Sequence, residues 1–271
     1  MSEGQHIPYQ ASALPVAQAR SVLVLAPHPD DETIGCGGSA ALYAQAGIPV
    51  QALVFTDGAL WGVAPPGMGV VEAREAETRA AAQVLGCAEP LFARHPDRHL
   101  PTGSALVGEI VAQVRASRAD TVFAPSLWEV HPDHRALAQA AIAAIVQLGA
   151  GHTLVQYEVG MPLLPNVLVD ITPVLQRKQQ AMACFASQLA MQAYDRHVNA
   201  LNVFRTYTLP AAVLAAEGFR VCNPQEARDD PYGLVFQGHA HPALTAMSDS
   251  GRAATLVDRC LRALRLLRLP Q

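Results

Sequence analysis

Lysine is nearly missing from this chain, Lys178 being the only one. Positive charge therefore rests on arginine, and 19 basic against 23 acidic residues leave a formal net charge of -4. That balance exerts no general pull toward nucleic acid, and none is expected as a partner. Cysteine is scarce as well: five residues, odd in number, with no C-x-x-C spacing. A disulfide framework and a thiolate zinc site are thereby excluded, and the pattern suits a reducing cytoplasm. No run of about 18 uninterrupted apolar residues exists to span a membrane. The first twenty residues also lack the basic stretch and apolar core of a secretory signal, so the expected location is cytoplasmic.

What is present points to a packed α/β domain. Hydrophobic residues make up 51% of the chain and charged ones 15%, which excludes wholesale disorder. Short apolar runs alternate with helical patterns, and 271 residues are enough for one core. The expected strands are 22–26, 50–56, 87–93, 121–125, 153–159, 167–171 and 219–222. Helices are expected at 39–46, 71–85, 103–117, 135–146, 173–185 and 190–204. The expected fold is a Rossmann-like three-layer sandwich with a mostly parallel sheet, as a single domain over 1–271. Residues 1–19 read as a surface arm. Residues 223–271 read as a C-terminal extension, irregular over 223–249 and then basic and amphipathic from Arg252 to Arg268. That last helix suits docking on the body or on a second copy, as a homo-oligomer, or peripheral contact with anionic lipid.

Two clusters carry the chemistry. The run Val22 to Ala26 ends in Pro27, and His28, Asp30, Asp31 and Glu32 follow, then glycines 35, 37 and 38. Three carboxylates and an imidazole at the tip of a buried strand are costly unless a cation joins them. Acidic residues at such a junction also serve as plain helix caps. The second cluster, His131-Pro132-Asp133-His134, follows the run 121–125 and favours the metal reading. Both clusters lie just past strand ends, where open parallel sheets assemble their sites. Imidazole and carboxylate together suit zinc, one per chain.

The motifs A-P-H-P-D-D-E and H-P-D-H resemble those of the PIG-L/LmbE-like zinc-dependent de-N-acetylases, a family with N-acetylglucosaminyl-phosphatidylinositol de-N-acetylase and bacterial thiol-biosynthesis deacetylases among its members. The resemblance covers roughly residues 20–220. It implies His28, Asp31 and His134 as zinc ligands, which leaves Asp30 free to take a proton from the attacking water. His131, protonated, would donate to the developing oxyanion, with Asp133 orienting or charging it or only capping the helix that follows. Glu32 is expected on backbone N–H groups of the glycine-rich turn. By the same resemblance Arg74 reaches the substrate and Asp97 matches an aspartate that binds sugar hydroxyls. Around Asp97 the chain departs from the family, which commonly has an apolar residue and a glycine where His95, Arg98 and His99 stand here.

The implied activity is removal of the N-acetyl group from an N-acetylated amino-sugar of a small conjugate by zinc-activated water. A zinc amidase acting on a non-acetyl amide of a thiol conjugate or antibiotic is the alternative. A nucleotide- or methyl-donor-binding protein is a remote third, because Gly35-x-Gly37-Gly38 lacks the G-x-G-x-x-G spacing. The irregular stretch 59–70, holding Trp61, is a candidate lid.

Overall fold

The computed structural model describes residues 11–236 and 239–240. A compact unit ends at Tyr232. Past it, Val235–Phe236 pairs antiparallel with His239–Ala240; the C-terminal basic stretch lies outside the described residues.

Among the described residues the sheet has eight strands: β1 (Ala11–Ser12), β2 (Val22–Ala26), β3 (Val50–Thr56), β4 (Leu91–His95), β5 (Thr121–Pro125), β6 (Thr153–Tyr157), β7 (Val167–Asp170) and β8 (Ala216–Cys222). Their order across the sheet is β1-β7-β8-β6-β5-β2-β3-β4. All pairings are parallel except those of β8, which runs against β6 and β7. The Rossmann-like, mostly parallel sheet expected from the sequence is therefore observed.

Alternation along each strand explains the three layers. Val22 and Val24 enter one apolar layer, Leu23 and Leu25 the other. The first layer is closed by α1 (Asp31–Gln45), α2 (Val70–Leu85) and α5 (Leu175–Met182); the second by α3 (Ser104–Ser117), α4 (Pro132–Leu148) and α8 (Pro224–Asp229). Strands buried on both faces read as continuous apolar runs, which is why β2, β3 and β5 are found at their expected bounds. Two short helices, α6 (Ala186–Leu189) and α7 (Tyr194–Phe204), complete the unit.

The departures have local causes. Among the described residues, edge strand β4 pairs only with β3; it has a register shift and ends at His95, further along than expected. His95 is consequently in the sheet, with its Nε2 2.9 Å from Glu109. The N-terminal arm joins the opposite edge through β1, and Val16 exchanges hydrogen bonds with the Tyr43 hydroxyl. Asn223 closes a reciprocal capping box with Glu226, so the start of the presumed irregular extension is helical.

Helix α1 begins at Asp31, ahead of its expected start, and is broken at Cys36, whose φ of -146° is not helical. The break frees the N–H groups of Gly38 and Ser39, and Glu217 of β8 accepts both at 2.8 Å. Lys178 donates to Glu217 and to the carbonyl of Ile34 on the other side of the break. The chain's one lysine is thus spent, buried, on repairing this helix. Close packing requires the glycines here: a Cβ on Gly35 would stand 2.1 Å from the Tyr157 ring.

Candidate metal centre

Strand order reverses between β2 and β5, the crevice at which ligands gather in doubly wound sheets. Both histidine motifs leave the sheet there. His28 follows β2 directly, and Asp31 opens α1. His131 is the N-cap of α4, with Pro132 and Asp133 in its first turn and His134 behind them.

Three donor atoms form an equilateral triangle. His28 Nδ1, Asp31 Oδ2 and His134 Nε2 lie 3.2 Å from one another. Tetrahedral zinc, with bonds of about 2.0–2.1 Å, spaces its ligand atoms about 3.3 Å apart. Hydrogen bonding alone would have to place two imidazole nitrogens and one carboxylate oxygen around too few protons. A cation satisfies all three, so the residues present fit the metal. His131 also offers a nitrogen within 4.8 Å of His28 and His134.

Electrostatics agrees. Burial pushes the Asp30 carboxyl up to about 7, against the pull of Arg74, and pushes Glu32, beside Asp30, up to about 8. Burial lowers the affinity of His134 for a proton, but Asp31 and then Glu129 overcome it and lift the imidazole to about 9. His28 is raised as well, its burial outweighed by Asp133, Asp31 and Asp97. Asp31 moves the other way: burial raises it and the two imidazoles more than reverse that. A cluster this rich in carboxylates collects protons when no metal ion supplies the positive charge.

The second nitrogen of each candidate ligand is also met by carboxylate. His28 Nε2 has Asp97 Oδ1 and Asp133 Oδ2, each at 3.3 Å. His134 Nδ1 has Glu129 Oε2 at 3.4 Å, a charge contact longer than a good hydrogen bond. Such partners fix ring orientation and raise ligand basicity. Glu129 was not singled out from the sequence. Its signal is tertiary: the carboxylate also accepts from the N–H groups of Val159, Gly160 and Met161, on a loop 30 residues away.

The other expected site residues make defined contacts within the protein. The Asp133 carboxylate faces His28 and accepts from the N–H groups of Arg98 and Leu100, while its charge also favours the protonated form of the nearby His131. The Asp133 backbone N–H donates to His131 Nδ1 at 3.2 Å. Asp97 faces His28 and accepts from Leu60 N–H. Arg74 is buried and gives its protons to the carbonyls of Pro29, Gly58 and Trp61, with Asp30 Oδ2 at 3.4 Å. Gly58 permits that approach: it has φ +59°, and a Cβ there would come within 2.4 Å of Arg74 Nη1. Glu32 accepts from Asp30 N–H and Thr33, while the glycine-rich stretch is capped by Glu217. With that cap in place, a phosphate has no free N–H groups to meet at Gly38 and Ser39, and the nucleotide-binding reading loses its basis.

A cavity of about 670 Å³ opens over the triangle, walled by His28, Asp30, Asp97, His131, Trp61 and Tyr194 among others. The loop carrying Trp61 is anchored by Leu60 N–H on Asp97, Val63 N–H on Ser187, and Gln188 on the Trp61 carbonyl. A second hollow, about 790 Å³ and bordered by Arg20, Asp120 and His152, contains none of the motif residues.

Three protein donors, in place of the four of a structural zinc, are the arrangement of hydrolytic sites, and a cavity above them gives a substrate access. The class is that of metal-site hydrolases on a Rossmann-like sheet. Comparison with known proteins makes it specific. The PIG-L family, GlcNAc-PI de-N-acetylase, matches over residues 23–145. Diacetylchitobiose deacetylase of Thermococcus kodakarensis is 29% identical over 199 residues, 67% of this chain and 74% of that one. An uncharacterized deacetylase of Escherichia coli is 32% identical over 131 residues, 46% of this chain and 68% of that one. Among solved structures, N,N'-diacetylchitobiose deacetylase of Pyrococcus horikoshii superposes with a TM-score of 0.70 at 25% identity, covering 81% of this chain and 90% of the other. This chain belongs to the PIG-L family, and as such is an amide hydrolase of the deacetylase kind.

Proposed function

We propose that the protein is a zinc-dependent de-N-acetylase acting on an N-acetylated amino-sugar of GlcNAc type within a small conjugate. The observation that carries this reading is the 3.2 Å triangle of His28, Asp31 and His134, with Asp30 beside it. Support for the sugar comes from the diacetylchitobiose deacetylases among its relatives.

His28, Asp31 and His134 would hold the ion, which when bound polarises the amide carbonyl and lowers the pKa of water to about 7. Asp30 takes the proton from the attacking water and returns it to the departing amine. Its position is fixed in three ways: a backbone φ of 134°, its N–H on Glu32, and Arg74 against its carboxylate. A φ of this kind in a non-glycine residue is a strained conformation of the sort held at active sites. His131 donates from Nε2 to the carbonyl oxygen as charge builds on it. Because its Nδ1 accepts from the Asp133 N–H, a neutral ring carries its proton on Nε2 and can donate without being charged. That matters, since burial and the neighbouring His28 and His134 hold His131 below its usual pKa. Asp97 and Asp133 orient His28, and Arg74 holds together the first motif and the Trp61 loop.

The test is acetate release from a panel of N-acetylhexosaminides, diacetylchitobiose included, alongside metal content per chain. About one zinc per chain and acetate from at least one sugar are expected. A zinc-loaded protein that releases acetate from none of them overturns the reading.

A further inference from the structure

The turn Pro96-Asp97-Arg98-His99 crosses the rim of the cavity and is closed by His99 N–H on the Pro96 carbonyl at 3.0 Å. Its third residue, Arg98, has φ +63°, the left-handed conformation that a type II turn requires and that glycine supplies without strain. The backbone is held there by Arg98 N–H on Asp133 Oδ2 at 2.7 Å. A long side chain at such a position is an outlier, and Arg98 is an exposed residue that lines the cavity.

The charges around it are accounted for. Asp31 belongs to the triangle, Asp30 lies against Arg74, Asp97 against His28, and Glu129 holds loop N–H groups. The other arginine of the wall, Arg74, is spent on carbonyls. The Arg98 guanidinium has no hydrogen-bond or ion-pair partner among the described residues. A planar fork of donors left open at the mouth of a site matches a carboxylate or phosphate, which it can bind with two parallel bonds.

We propose that Arg98 is a specificity-determining residue, selecting conjugates whose N-acetylated sugar carries an anionic oxygen group, phosphate or carboxylate, next to the scissile amide end. This rests on the deacetylase reading above. The turn then does two things at once: it places Asp97 on His28 and aims a cation at the substituent of the sugar.

The experiment compares kcat/KM for acetate release from N-acetylglucosamine bearing a methyl, a phosphate or a carboxymethyl group at the anomeric oxygen. In the zinc-loaded wild type, one or both charged sugars should exceed the methyl glycoside at least tenfold, mainly through KM, and the excess should shrink as salt is raised. Which charged sugar gains more identifies the anion. Arg98→Gly and Arg98→Asn, both at ease at positive φ, should collapse the ratio to below about threefold, and Arg98→Lys should retain part of it. A wild-type ratio near one, or an unchanged ratio in the glycine and asparagine variants while acetate is still released, overturns the proposal and leaves the deacetylase reading standing. No acetate from any of the three sugars overturns the deacetylase reading, and this inference with it.

Discussion

At the scale of single residues, the site is a set of carboxylates given different work by what each touches. Asp31 faces two imidazoles, Asp30 faces one arginine, and Glu129 faces a row of backbone N–H groups. Asp30→Ala should therefore cut kcat by about 10²–10⁴-fold while the protein still carries zinc, as read by metal analysis of the purified variant. Zinc lost from that variant would make Asp30 a ligand. Glu129→Gln should weaken zinc binding about 10–100-fold in a chelator competition, because His134 loses the charge behind its Nδ1. Unchanged affinity would leave Glu129 as a loop anchor only. The motif residues were visible in the sequence because their chemistry is compressed into seven and four positions. Glu129 was not, since a lone glutamate before His131 looks like any surface acid until β6 brings Val159–Met161 over it. The same holds for Asp133, whose sequence neighbour is His131 but whose carboxylate points to His28.

At the scale of elements, α1 shows how tertiary contacts rescue a sequence unsuited to a helix. Three glycines in eight residues disfavour helix, and the break at Cys36 leaves orphan groups on both sides. Glu217 and Lys178 satisfy them from β8 and α5. Removing one member of a buried pair strands the other, so Glu217→Gln should lower stability by about 3–5 kcal/mol in urea unfolding. A loss under 1 kcal/mol would mean that the break is capped some other way. At the opposite end of the sheet, Asp120 ties the entry of β5 to Arg20 and Ser21. Burial pushes its carboxyl up, but the bonds from Arg20 prevail and hold it below the usual range. The folded state then binds fewer protons here than the unfolded chain, so this stabilisation is present above the ordinary carboxylate pKa and is lost as pH falls through the folded one. Asp120→Asn should flatten that acid limb of the stability–pH curve; an identical limb in the variant would discount the contact.

At the scale of the whole molecule, an ion held as proposed by His28, Asp31 and His134 would tie two halves of the sheet together, one ending in β2 and the other in β5. Ligands from both sides of a switch point would make metal binding a clamp on the native state. Chelation should lower the melting temperature and zinc should restore it. Zinc at a hundredfold excess over its Kd contributes about 2.7 kcal/mol, or roughly 5–10 °C for a chain of this size. A melting curve indifferent to both chelator and zinc would remove the metal from the structure. Among the described residues no helix is long and apolar enough to cross a membrane.

The sequence by itself determined the layers and the two motifs. Apolar runs buried on both faces and histidines clustered within a few positions are local patterns, and local patterns survive in one dimension. Only the tertiary structure decided which nitrogen meets which carboxylate, why the single lysine is buried, and that Arg98 on the cavity rim has no side-chain partner among the described residues. Apart from His28 with Asp31 and His134 with Glu129, those facts depend on residues far apart in the chain meeting across the strand ends, and their spacing along the chain contains no record of the meeting.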